Sequence, residues 1–87
     1  MSSVKPEMFP AEFPIKVMGR TDGDFRAVTR EIIERHAGTL PDDRIRVRTS
    51  GDGNFLAVTY TIVATGRDQL DAIYRELTAC KLVLMAL

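Results

Sequence analysis

The apolar residues of this chain switch between two spacings, every second residue and every third or fourth. The order of those switches restricts the fold more than any other feature. Phe13, Ile15 and Val17 alternate with Pro14, Lys16 and Met18, which predicts a half-buried strand over 13–18 that Gly19 ends. Phe25, Val28, Ile32 and His36, with Ile33 beside them, then recur at helical spacing and predict a helix over 24–37. Thr21, Asp22 or Asp24 can cap its start, Gly38 closes it, and Pro41 keeps it from resuming. Arg30–Glu34 and Glu31–Arg35 are spaced as i,i+4 pairs on its solvated side.

Alternation returns in Arg44-Ile45-Arg46-Val47-Arg48, with apolar residues on one face and arginines on the other. Gly51-Asp52-Gly53-Asn54 tolerates positive φ and predicts a hairpin into a long strand over 55–65. That strand turns Leu56, Val58, Tyr60, Ile62 and Ala64 one way and Phe55, Ala57, Thr59, Thr61 and Val63 the other. Leu70, Ile73, Tyr74 and Leu77 form the stripe of a second helix, with Thr65 as its cap and Asp68 reaching back. Leu82 to Leu87 is too short for a helix with its own core and is a final strand.

Strand, helix, strand, strand, helix, strand, each helix with one apolar stripe, predicts an α+β fold. It is the two-layer ferredoxin-like βαββαβ sandwich: a four-stranded antiparallel sheet with two helices on one face. Right-handed crossovers put the first and third strands in the centre. At 87 residues there is room for one core. Residues 1–11 are expected to be a flexible lead-in and residues 12–87 the domain. Met8 and Phe9 are the lead-in's only apolar pair able to tuck against the domain.

The segments Phe13-Pro14-Ile15-Lys16-Val17-Met18-Gly19, Gly53-Asn54-Phe55, Val58-Thr59-Tyr60-Thr61-Ile62 and Gln69-Leu70-Asp71 resemble those of the YbeD-like family of small bacterial proteins. His36 at the end of the first helix and the ending Val83-x-Met85-x-Leu87 are similar as well, so the likeness covers about residues 12–87. It implies a ferredoxin-like domain similar to ACT domains, the modules that bind amino acids and regulate metabolic enzymes. It also implies an association with lipoate-attachment genes, and it offers no recognised catalytic residues. Where the family has Ser or Glu before the second helix, this chain has Gly66 and Asp68, which leaves the cap chemistry intact.

Twelve Lys+Arg balance twelve Asp+Glu, which argues against bulk attraction to nucleic acid or an anionic membrane. A single His, His36, excludes a His pair and any His-rich metal site, and its place on the stripe suits packing and donation to helix-end carbonyls. Cys80 has no disulfide partner and is expected to be an inert buried thiol. The Gly51–Asn54 run lacks the Lys-Ser/Thr of a phosphate loop and the distal Glu of a calcium loop, so no cofactor or metal is expected. Asp42 and Asp43 belong to a solvated loop. No apolar run suits a signal peptide or a membrane span, so the expected compartment is the cytoplasm.

The sheet face away from the helices is the expected interaction surface: Lys16, Met18, Arg44, Arg46, Arg48, Phe55, Thr59 and Thr61, with Ala57 and Val63 among them. Gly19, Arg20, Thr21 and Asp22 form the candidate ligand loop, where ACT-like modules commonly bind their metabolites. The last strand is apolar on both faces and needs cover on both, from residues 1–11 or, favoured here, from a second subunit. The leading expectation is therefore a non-catalytic regulatory or protein-interaction module that binds a partner protein or a small metabolite. The alternative is RNA binding through the arginine row beside Phe55. An acylphosphatase-like enzyme ranks last. Arg20 is present, but Asn54 falls in the hairpin turn and a glycine cradle is missing.

Overall fold

Phe13, Ile15 and Val17 turn to one side of β1 (Ala11–Arg20), while Glu12, Pro14 and Lys16 turn to the other. That alternation fixes the two sides of the whole sheet. The computed structural model describes residues 9–21 and 23–87. Residues 1–8 of the lead-in, Met8 included, and Asp22 of the candidate loop and cap lie outside them. After β1 come α1 (Phe25–Ala37), a 3-10 turn at Asp42–Arg44, β2 (Ile45–Thr49), β3 (Phe55–Ala64), α2 (Arg67–Ala79) and β4 (Val83–Ala86). The strands form one antiparallel sheet in the order β2-β3-β1-β4, with both helices on one face. This is the α+β ferredoxin-like βαββαβ arrangement.

β1 and β3 pair from Ala11↔Ala64 to Arg20↔Phe55 without a slip, and the even-numbered residues of β3 meet the odd-numbered residues of β1 on the helix side. Ile15, Val17, Val58, Tyr60 and Ile62 are buried there against Phe25, Ile32, Ile33, Leu70, Ile73 and Leu77. Each such side chain contributes about 1.5–3 kcal/mol through removal from water. Phe9 packs against the same core near the start of α2.

Gly19 does not end the first strand, which continues to Arg20. A Cβ at Gly19 would lie 2.3 Å from the Phe25 ring and 2.6 Å from the Leu82 carbonyl oxygen. Glycine here permits close approach and does not break the strand. The hairpin turn forms as expected: Gly53 takes φ 78, and Asp52 Oδ1 accepts from Ser50 Oγ at 2.6 Å and Asn54 N at 3.1 Å. Those two donors hold the Asp52 carboxyl below its ordinary range, Ser50 first.

At the second helix the cap differs from expectation. Gly66, not Thr65, is the N-cap, which moves the third helical position from Asp68 to Gln69. Gln69 Oε1 accepts the Thr65 backbone N–H at 2.8 Å, so Gln69 reaches back in place of Asp68. At the first helix Asp24 is the N-cap, and no side-chain hydrogen bond caps it among the described residues. Arg30–Glu34 and Arg35–Glu31 do pair, at 3.2 and 3.6 Å. Glu34 also accepts the Leu40 amide at 2.7 Å, which ties down the turn after Gly38 and is the first cause of its lowered pKa.

β4 departs from simple alternation. Val17↔Ala86 and Met18↔Met85 are followed by Gly19↔Val83, so Leu84 is an extra residue in a bulge. Val83 and Ala86 therefore share the core side although their numbers differ in parity. Residues 9–11 lie at the far end of β1 from β4, because Ala11 pairs with Ala64 while β4 meets residues 16–19.

Candidate functional site

The sheet face without helices is built from two cross-strand rows. Arg48, Ala57, Met18 and Met85 form one, and Arg46, Thr59, Lys16 and Leu87 the other. The β1, β2 and β3 residues in these rows follow from the parity that buries the opposite face, and Met85 and Leu87 from the register of β4 against β1. Arg46 and Arg48 lie on β2, Lys16 on β1 beside Leu87, and the exposed apolar Met85 and Leu87 at the β4 edge. Lys16, Arg46 and Arg48 are exposed and make no ion pair among the described residues.

Arg44 is the exception among the arginines. It lies in the 3-10 turn before β2, and its Nη1 donates to Glu12 Oε2 at 2.6 Å, which raises the guanidinium pKa. Its charge is neutralised across the face. Thr61 is half-buried and pairs with Pro14 of β1. Phe55 is exposed at the hairpin end, where the Arg20 guanidinium carbon lies 5.7 Å from its ring centroid, within cation–π range. A depression of about 330 Å³ opens between the hairpin and β1, lined among others by Lys16, Met18, Arg48, Phe55 and Ala57. The sheet thus gathers seven of the eight predicted surface residues on one face, and Arg44 reaches it from the turn before β2, although Arg44 and Phe55 already have intramolecular partners.

The candidate ligand loop is dispersed. Gly19 is buried within β1, and Thr21 is tied to the hairpin: its N–H donates to Asn54 O at 3.0 Å and its hydroxyl to Gly53 O at 2.9 Å. A cleft of about 260 Å³ lies beside it, lined by Arg20, Gly23, Phe25, Lys81, Leu82 and Leu84.

His36 does not serve the carbonyls at its own helix end. Its Nε2 meets Glu76 Oε2 at 2.5 Å, and Arg35 donates to the other oxygen of the same carboxylate. His36 first, with the charge of Arg35 in support, holds Glu76 below the ordinary carboxylate range. The three residues clip α1 to α2. Cys80 is half-buried against the core. Among the described residues no group of three or more His, Cys, Asp or Glu is arranged to hold a metal ion. No described helix is long and apolar enough to cross a membrane.

Sequence reasoning missed Thr29 and Tyr60 as a pair. Thr29 is fully buried, and its hydroxyl lies 2.6 Å from Tyr60 Oη and 2.8 Å from Phe25 O. Burial raises the Tyr60 pKa, and the Thr29 hydroxyl counters part of that. The signal was present, since Thr29 falls between Phe25 and Ile33 on the buried stripe. These groups satisfy one another inside the core.

Sheet order, helix placement and the uncovered face together define a ferredoxin-like α+β domain. Solved structures share that shape. A Helicobacter pylori protein, HP0495, superposes with a TM-score of 0.64 at 14% identity, covering 91% of this chain and 82% of that one. The C-terminal domain of the MgtC protein of Mycobacterium tuberculosis gives 0.60 at 18% identity, covering 87% and 82%. At such identities the likeness is one of fold.

Within that class, the chain belongs to the family described as "Protein of unknown function (DUF493)", whose pattern it matches over residues 7–87. Among its relatives, a UPF0250 protein of Paraburkholderia phymatum is 42% identical over 79 residues, covering 91% of this chain and 89% of the relative. One of Chromobacterium violaceum is 40% identical over 89 residues and covers both chains fully. This is the family that the YbeD-like segments pointed to.

Proposed function

We propose that this domain is a non-catalytic binding module that engages a partner protein through its uncovered sheet face. The reading rests on one observation: Lys16, Arg46 and Arg48, without ion-pair partners among the described residues, stand beside the apolar Met18, Ala57 and Met85. Apolar contact area next to cations suits a protein surface with acidic and apolar residues, since charge steers the encounter and buried area holds it. The described groups with displaced pKa values are each accounted for by ion pairs, hydrogen bonds or burial within the fold, which supports the non-catalytic reading.

RNA is the competing ligand, since the same cations would attract phosphate. Phe55 is the only aromatic residue of the β strands on that face, and it already has Arg20 near its ring. A photo-crosslinking residue at Thr59, compared with one at the exposed Asp71 on α2, separates the readings in native extract. A discrete protein adduct from Thr59 alone, lost in Arg46→Glu/Arg48→Glu and weakened by salt, is the expected result. Equal adducts from both positions, or RNA as the species captured, would refute it.

A further inference from the structure

The two edges of the sheet differ. β2, at one edge, carries Arg46 and Arg48, the kind of charged edge that resists strand addition. β4, at the other, has no charged side chain from Leu82 to Leu87, and Leu84, Met85 and Leu87 are 58%, 50% and 61% exposed. Leu87 exchanges both backbone hydrogen bonds with Lys16, at 3.1 and 2.8 Å, and Met85 pairs inward with Met18. Ala86 between them therefore turns its N–H and C=O away from β1, toward the open edge.

We propose that the β4 edge pairs antiparallel with β4 of a second copy of this chain, joining two sheets into one of eight strands. A second copy is the occupant that this edge fits. Antiparallel pairing about a two-fold axis beside Ala86 satisfies that residue's donor and acceptor with those of its own copy. It sets Met85 opposite Leu87 of the other chain and brings no like charges together. The same operation at β2 would place arginines against arginines. The inference is separable from the partner reading above, because Arg46 and Arg48 lie at the opposite edge and stay accessible in the dimer, while Met85 alone is shared by the two surfaces.

Light scattering across micromolar to hundred-micromolar concentration, with amide exchange at Ala86, tests it. The expected mass rises to twice the 9.7 kDa of the chain, and the Ala86 amide gains protection as it does. Met85→Lys/Leu87→Lys should raise the dissociation constant at least tenfold. Both side chains are largely exposed, so its circular dichroism and melting at low concentration should match the wild type. A monomer throughout the range overturns the proposal. So does a dimer that survives the double substitution, or one in which the Ala86 amide exchanges freely. Loss of crosslinking at Thr59 with the dimer intact would instead count against the partner reading alone.

Discussion

Gly19→Ala should be the most damaging single-methyl change in this domain. The added carbon would lie 2.3 and 2.4 Å from two atoms of the Phe25 ring and 2.6 Å from the Leu82 carbonyl oxygen. Ordinary carbon contacts are about 3.5–4.0 Å, so the ring must retreat by more than 1 Å. Phe25 is 1% exposed and packed in the core, although it also lines the 260 Å³ cleft beside Arg20. Leu82 meets the methyl with backbone, which moves only if the start of β4 moves. Overpacking of this kind costs about 1–3 kcal/mol, and with a backbone atom involved the upper half of that range applies. For a domain of this size each kcal/mol lowers Tm by about 4–8 °C, so a fall of roughly 8–24 °C is expected in a calorimetric melt.

Gly51→Ala supplies the control. It adds the same methyl with nothing within 4 Å and without positive φ, and should change stability by less than about 0.5 kcal/mol. Phe25→Leu on the Gly19→Ala background removes the ring and should restore part of the loss, with a coupling of about 0.5–3 kcal/mol. A Gly19→Ala protein melting with Gly51→Ala would refute the close-approach account. A purely additive double mutant would remove Phe25 as its cause.

Thr29→Val should cost about 1–3 kcal/mol, because Tyr60 Oη keeps only a 3.4 Å contact to Arg26 O. Tyr60→Phe should cost less, since Thr29 retains Phe25 O, and the double mutant should cost less than the sum by urea titration. Additive losses would deny the hydrogen bond its role. Glu76 has a lowered pKa in the fold, so its contribution is present in full above its ordinary value of 4.5 and is lost as pH falls below it. Glu76→Gln should therefore lower stability at neutral pH and flatten its decline below about pH 4.5. An acid limb of unchanged slope would count against the His36–Glu76–Arg35 clip.

Much of this fold was legible because burial imposes parity. Ile15, Val17, Val58 and Ile62 alternate so regularly that both sheet faces could be assigned from the chain alone, and the uncovered face with them. What escaped depends on residues distant in sequence. Gly19 looks like a strand breaker until Phe25 is seen lying over it. Leu84 looks like an ordinary member of an alternating strand, and only the slip against Met18 and Gly19 exposes the bulge. His36 at a helix end has carbonyls to hand, yet Glu76 on the neighbouring helix offers a full charge, and the charge prevails. The Asp68–Gln69 exchange is a one-residue shift of the cap, the scale at which helix boundaries are ordinarily uncertain.

Edge protection supplies the last link between sequence and binding. Pro14 follows the backbone alternation of Lys16, whose N–H faces β4, so its hydrogen-free nitrogen faces the stretch of β1 edge that β4 is too short to reach. That stretch can accept fewer hydrogen bonds from an incoming strand. On the far side, Arg46 and Arg48 charge the β2 edge. With both of those positions discouraged, the edge left able to add a strand among the described residues is the one at Ala86, which has no charged side chain. A chain that blunts two edge segments and leaves the third apolar has narrowed where a neighbour can attach, without spending any core residue on the choice.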